Sequence, residues 1–227
     1  MTSEPSLIRA DLHNHTHFSP DSILSPARFV AQAVRRGLDC IAVTDHNTLG
    51  GAEAVREAAA ATGLRVIAGE EVRTDDGEVL GLFLTQDIPR GLSAEETIGR
   101  IKAQGGLAGV PHPYDTLRSG LDPAVMLRLV DRLDFVEGLN ARMVFSAHND
   151  KAVQFASAHG LPLSAASDAH SRWEVGRAYV EMPGFTGPGD FLDSLRAGRL
   201  EGRLSTPLVH LISRYAMLRR KLGWRPR

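Results

Sequence analysis

Residues 8–15 read Ile8-Arg9-Ala10-Asp11-Leu12-His13-Asn14-His15. The apolar start predicts a strand over residues 8–13. Side chains alternate along a strand, so Asp11, His13 and His15 share one face. Two imidazoles on one face of a strand end can reach one divalent cation. The next segment reads as a helix over residues 26–36, with Ser25 as N-cap, Pro26 at its first position and Gly37 at its end. A second apolar strand, residues 39–44, comes after it.

The alternation continues along the chain. An alanine-rich helix over residues 52–61 stops at Gly63, and strands are expected at 64–68 and 79–84. Ser93 caps a helix over 94–104, with Glu96 placed for a capping box. Short apolar strands follow at 107–110, 135–139 and 163–166, separated by helices near 123–129 and 149–159. A late strand at 178–182 precedes a helix near 190–197. Such alternation argues for parallel strands covered by helices. A barrel and an open sheet both satisfy it, and in either the active residues belong at the C-terminal ends of strands. Leu208, Leu211, Ile212, Tyr215 and Leu222 recur at helical spacing. They predict a closing helix that packs this stripe on the domain and turns its arginines to water.

The chain has 227 residues, of which 43% are hydrophobic and 23% charged, enough for a buried core without staples. Its one cysteine, Cys40, excludes an internal disulfide and any Cys-rich zinc module, and reads as a buried small hydrophobe. No apolar run reaches the length of a membrane span, and residues 1–5 lack the pattern of a signal peptide, so a cytoplasmic location is expected. Seven of the 26 Lys and Arg residues lie beyond Gly202 (Arg203, Arg214, Arg219, Arg220, Lys221, Arg225, Arg227), with none of the 27 acids. That tail reads as a solvated helix face with a frayed end.

The polar residues follow the strands. The second strand ends in Thr44-Asp45-His46, the third in Gly69-Glu70-Glu71, the 107–110 strand in Pro111-His112-Pro113, and the 163–166 strand in Ser167-Asp168-Ala169-His170. A random scatter of the nine histidines would seldom end successive strands in this way. Imidazole with carboxylate suits Zn²⁺, Mn²⁺ or Fe²⁺ better than a metal that needs thiolates. Phosphate-binding Gly-x-x-x-x-Gly-Lys-Ser/Thr, nucleophile-elbow Gly-x-Ser-x-Gly and dinucleotide Gly-x-Gly-x-x-Gly motifs are all missing.

The order His-x-His, Thr-Asp-His, Gly-x-Glu, Pro-His-Pro, Ser-Asp-Ala-His resembles the PHP (polymerase and histidinol phosphatase) superfamily from about residue 10 to 182. Residues 174–178 also resemble PHP-associated sequence. The resemblance implies an α/β fold, a distorted seven-stranded β/α barrel, over residues 1–205, with a basic C-terminal helix over 206–227. It implies two or three divalent ions (Zn, Mn or Fe). His13, His15, Glu71 and Asp168 would hold the first, with Glu71 bridging to a second held by His112. Asp21, His46 and His170 would hold the third. Several relatives supply another histidine between Gly-x-Glu and Pro-His-Pro; none stands between Glu71 and His112 here.

Catalytic roles are expected for His46, Asp168 and His170. Arg118, Arg142 and Asn140 are candidates to contact a substrate phosphate, the arginines through a planar fork. Asp11 and Asp45 are placed to orient imidazoles. His17, His159 and His210 read as surface residues. The expected activity is hydrolysis of phosphate esters of nucleotides or short oligonucleotides, as a phosphatase or 5′-3′ exonuclease, by metal-activated water. The expected partner is a small phosphorylated substrate, without membrane or obligate protein partner. A histidinol-phosphate phosphatase and a non-catalytic metal-stabilised module stand as alternatives.

Overall fold

The computed structural model describes residues 6–224. Arg225 and Arg227 of the basic tail, and residues 1–5, lie outside them. Strands are β1 (Leu7–Asp11), β2 (Cys40–Val43), β3 (Arg65–Thr74), β4 (Gly77–Leu82), β5 (Leu107–Val110), β6 (Phe135–Asn140), β7 (Leu163–Ala166), β8 (Ala178–Pro183) and β9 (Arg199–Gly202). Helices are α1 (Pro26–Arg35), α2 (Gly50–Ala59), α3 (Ala94–Ala103), α4 (Pro123–Arg128), α5 (Ser146–His159), α6 (Pro188–Arg196) and α7 (Val209–Lys221). No helix among the described residues is long and apolar enough to cross a membrane.

The sheet runs β7-β6-β5-β4-β3-β2-β1-β8-β9. It closes on itself beyond the ends of β1 and β7. Leu12 N donates to Ala165 O at 3.4 Å, Asp168 N to His13 O at 2.8 Å, and His15 N to Ala169 O at 2.9 Å. The expected barrel-like α/β fold therefore forms, but its sheet has nine strands where seven were expected. Two of them, β8 and β9, continue antiparallel from the edge of β1 that faces away from β2. Residues 199–202 carry no apolar run, which is why β9 is not legible in the sequence.

One strand runs against the expected direction. β3 and β4 pair antiparallel from Gly69↔Leu82 to Thr74↔Gly77, and β4 pairs antiparallel with β5. The turn Thr74-Asp75-Asp76-Gly77 leaves no room for a crossover helix, so the chain reverses. Gly77 takes φ 122° there, and a Cβ would strike Gly120 O. The reversal brings the start of β4, not its end, to the same rim as the C-terminal ends of β3 and β5.

Most of the buried apolar residues fill three regions. Ala10, Leu12, Cys40, Ala42, Ile67, Leu80, Leu82, Phe135 and Ala165 pack inside the barrel, below the polar rim, and join Phe191 and Leu195 of α6. Phe29, Val30 and Ala33 of α1 and Val55 of α2 cover Ile41 and Val43. Ile98 and Ile101 of α3 cover Val79, Ala108 and Val110. The Ser93–Glu96 capping box forms as expected, whereas Ser25 at the head of α1 makes no side-chain cap bond.

The stripe expected to bury α7 faces water instead. Leu208 is 68% and Leu222 78% exposed, and Leu211 and Tyr215 are also exposed. Polar contacts fix the helix in this rotation. Ser213 Oγ accepts from Arg142 Nη2 at 2.9 Å, His210 Nε2 lies 3.2 Å from Arg142 O, and Arg220 Nη2 donates to the carbonyls of His17 and Ser19. An arginine expected in water thus ties α7 to the loop after β1. His17 is correspondingly buried and His210 half-buried, while His159 is exposed.

Candidate metal centre

The barrel rim gathers all eight sequence-predicted donors. His13 Nε2 lies 3.0 Å from His15 Nε2 and 3.5 Å from Glu71 Oε1. Asp168 Oδ1 stands 4.0 and 3.5 Å from those two imidazole nitrogens. His112 Nε2 approaches Glu71 Oε1 at 2.8 Å. Asp21 Oδ2 meets His170 Nε2 at 3.1 Å and His46 Nε2 at 3.5 Å, and His46 Nδ1 reaches Glu71 Oε2 at 3.0 Å. Glu71 is therefore shared by the first and second groups and adjoins the third.

The reversed strand supplies a donor that the sequence reading missed. Glu78 opens β4, and its Oε2 lies 3.6 Å from His112 Nε2. With His46 and Glu71 it forms one of three donor groups whose atoms lie within 4.8 Å of one another; His13-His15-Asp168 and His15-His46-His170 are the others. A carboxylate stands in the interval where several relatives carry histidine. The Asp-Asp-Gly turn before it was the available signal. A hairpin there reverses the strand and carries Glu78 to the rim.

Neighbouring side chains orient the imidazoles. Glu137 in β6 places Oε1 3.1 Å from His13 Nδ1, while its Oε2 accepts from His112 N at 2.6 Å and Asn140 Nδ2 at 2.8 Å. Ser19 Oγ donates to Asp45 Oδ1 at 2.6 Å and therefore accepts from His15 Nδ1, 3.1 Å away. Asp45 thus acts on His15 through Ser19. Asp11 does not join the His13–His15 face as the alternation predicted. Its carboxylate accepts the amides of Ser167 and Gly176, which holds the backbone leading into Asp168. His112 (φ 27°) and Asp168 (φ 52°) both sit in left-handed backbone, strain that the surrounding contacts must hold.

The three candidate phosphate residues are engaged with the cluster. Asn140 Nδ2 donates to Asp168 Oδ2 at 3.0 Å. Arg118 contacts Asp168 through Nη1 and Asp115 through Nε at 2.5 Å. Arg142 is buried against His170, lies 3.2 Å from Glu174 Oε1, and holds Ser213.

Electrostatics fit a site for cations. Burial opposes ionisation of Glu71, Asp168 and Asp21, yet neighbouring cationic groups hold all three well below the usual carboxylate range: His13 and His46 for Glu71, Arg118 and His13 for Asp168, His170 and His46 for Asp21. Burial likewise opposes charging of His13 and His46, yet the facing carboxylates raise both well above the ordinary imidazole value. His15 goes the other way, to about 3, through burial and the charges of His170 and His46. Glu78 rises to about 7 from burial and the charge of Glu71. Protons on imidazoles thus balance carboxylates that a divalent ion would otherwise balance. Among the described residues, Asp21 Oδ1 and His112 Nδ1 are buried without hydrogen-bond partners. The donor set of imidazoles and carboxylates fits divalent ions.

Access is one-sided. Only His46 and Asp21 of the eight donors show appreciable side-chain exposure, 21% and 20%. A cavity of about 500 Å³ opens beside them, lined by Pro20, His46, Asn47, Asp87, Ile88, Pro89 and Arg90.

Comparison with known proteins agrees with this architecture. The chain matches the PHP domain over residues 11–156 and the PHP-associated family over residues 146–200. It is 42% identical over 145 residues to an uncharacterized protein of Methanocaldococcus jannaschii, covering 59% of this chain and 82% of that one. It is 28% identical over 127 residues to the 5′-3′ exoribonuclease of Haemophilus influenzae, covering 51% and 46%. PsfC from Pseudomonas syringae PB-5123 shares the fold, with a TM-score of 0.70 at 19% identity, over 96% of this chain and 99% of that one. The donors converge in the motif order of that family, its domain spans residues 11–156, and the chain accordingly belongs to the PHP domain family.

Proposed function

We propose that this protein is a metal-dependent phosphoesterase acting on terminal phosphates of nucleotides or short oligonucleotides. The observation that carries the reading is the buried three-group donor cluster opening only at His46 and Asp21. His13, His15, Glu71 and Asp168 would hold one ion, Glu71, Glu78 and His112 a second, and Asp21, His46 and His170 a third. Bound divalent ions supply positive charge to a phosphoryl group and acidify water to a usable nucleophile.

The chain's own residues do the rest. Glu137 and Ser19 fix the imidazoles of His13 and His15 with Nε2 toward the cluster. Asn140 holds Asp168 Oδ2, and Arg142 holds His170 in place, so both act on ligands rather than on substrate. Arg118 is the remaining phosphate candidate. Its guanidinium borders Asp168 and would balance charge on the phosphoryl oxygens. His46 stands at the mouth, where the leaving group departs, and Arg90 lines the adjoining cavity. The likeness to an exoribonuclease supports nucleotide-type substrates.

The test is hydrolysis of p-nitrophenyl phosphate, mononucleotides, histidinol phosphate and 5′-phosphorylated oligonucleotides with Mn²⁺ or Zn²⁺, against EDTA. Turnover should vanish with EDTA and in His13→Ala and Asp168→Ala. Undiminished turnover in both variants overturns the reading. Preference for histidinol phosphate overturns the substrate class.

A further inference from the structure

We infer that the outer face of α1 and the loop after His170 form a subsite for the strand of a single-stranded oligonucleotide beyond its terminal phosphate. This rests on the phosphoesterase reading above and narrows its substrate to a polymer end.

A cavity of about 280 Å³ is lined by Arg28, Ala31, Gln32, Arg35, Arg172 and Trp173. Three arginines converge there and no acid does. Several arginines elsewhere on the body face an acid: Arg9 and Arg199 pair with Glu181, Arg132 with Glu95, Arg196 with Asp193. Among the described residues, Arg28, Arg35 and Arg172 have no ion-pair partner. Trp173 is 55% exposed, and the Arg172 guanidinium lies 5.0 Å from its ring centroid. Unpaired guanidinium groups beside an exposed indole suit a ligand that alternates phosphates with aromatic bases.

The placement links this cavity to the metal centre. Arg172 lies two residues after His170, and α1 starts five residues after Asp21. Ile23 N donates to His170 O at 3.0 Å, and Ser22 Oγ lies 2.9 and 3.1 Å from the carbonyls of His15 and His170, joining the two segments. Both walls therefore begin at the exposed third donor group. Arg28 and Arg35 are seven residues apart on one helix face, about 10 Å along the axis at 1.5 Å per residue. They form a track leading away from the rim. A mononucleotide held at the rim ends short of it. A longer strand lays its following phosphates on the arginines and a base on Trp173.

The test uses a 5′-phosphorylated hexanucleotide labelled at its 3′ end, with anisotropy read in EDTA so that no turnover occurs. Trp173→Ala should weaken binding about thirtyfold, the middle of the range for one base stacked on an aromatic ring. Arg28→Glu with Arg35→Glu should flatten the slope of log K against log salt by about 1.4, at about 0.7 per lost phosphate contact. In metal-loaded enzyme these variants should raise KM for the hexanucleotide and leave KM for 5′-mononucleotides unchanged. Wild-type binding in both variants overturns the subsite, and equal binding of a duplex overturns its single-strand character. The anisotropy result decides the subsite even where turnover fails. Absence of turnover on every phosphate ester, by contrast, defeats the phosphoesterase reading.

Discussion

Glu137→Gln changes one atom and tests the support beneath the metal centre. The Glu137 carboxylate serves three donors: Oε1 faces His13 Nδ1 at 3.1 Å, and Oε2 accepts from His112 N and Asn140 Nδ2 at 2.6 and 2.8 Å. A cation at His13 Nε2 requires the proton on Nδ1, so all three contacts need an acceptor. Glutamine has one acceptor oxygen. If that oxygen takes the Oε2 position, two bonds survive and the His13 N–H faces an amide N–H₂. If it takes the other position, one bond survives and two donors clash. The first arrangement is favoured. It leaves two buried donor groups, the His13 N–H and the new amide N–H₂, without an acceptor, at a cost of about 1–3 kcal/mol each. His13 loses the contact that fixes its ring, a type of loss that lowers metal affinity about 10–100-fold. Isothermal titration with Mn²⁺ or Zn²⁺ reads the second effect, and urea unfolding of the metal-free protein reads the first. Affinity within twofold of wild type, together with an unchanged urea midpoint, refutes the claim that Glu137 positions His13.

Three other outcomes are expected. Glu78→Gln should lower the number of Mn²⁺ ions bound at fixed free metal, measured by elemental analysis after gel filtration; unchanged stoichiometry removes Glu78 from the ligand set. Gly51→Ala adds a good helix former, yet its Cβ would fall on Asp45 Oδ2 and Thr16 Oγ1. A net loss of about 1–3 kcal/mol is expected from overpacking, with weaker metal binding through Ser19 and His15; a gain in urea stability contradicts this. Burial pushes the Cys40 thiol from 9.0 to about 12. A thiol raised in the folded state contributes stability that is complete below pH 9 and lost as pH rises from 9 toward 12, at about 1.4 kcal/mol per pH unit. Urea midpoints from pH 8 to 10.5 should therefore fall more steeply for wild type than for Cys40→Ala, and parallel slopes disprove it.

Much of the molecule follows from local sequence. Period-two and period-3.6 patterns locate eight of the strands and the main helices, because each strand or helix must bury its own apolar face. His13, His15, His46, Glu71, His112, Asp168 and His170 are legible as donors because strand ends project onto one rim whatever the strand order. Asp21 rests on family spacing alone.

The tertiary structure decided direction, partnership and rotation. Glu78 reaches the rim only because β4 runs backward, and strand direction depends on pairing with β3 and β5 rather than on apolar periodicity. Glu137 serves His13 and His112 from a distant strand, a contact made by barrel closure. Helical spacing shows that α7 has an apolar stripe but not which way it turns. Hydrogen bonds from Arg142 to Ser213 and from Arg220 to the loop after β1 turn that stripe outward. Local sequence fixes what each segment can bury, while the long-range polar contacts fix where it is held, since a buried charged or polar group must find its partner wherever the fold supplies one.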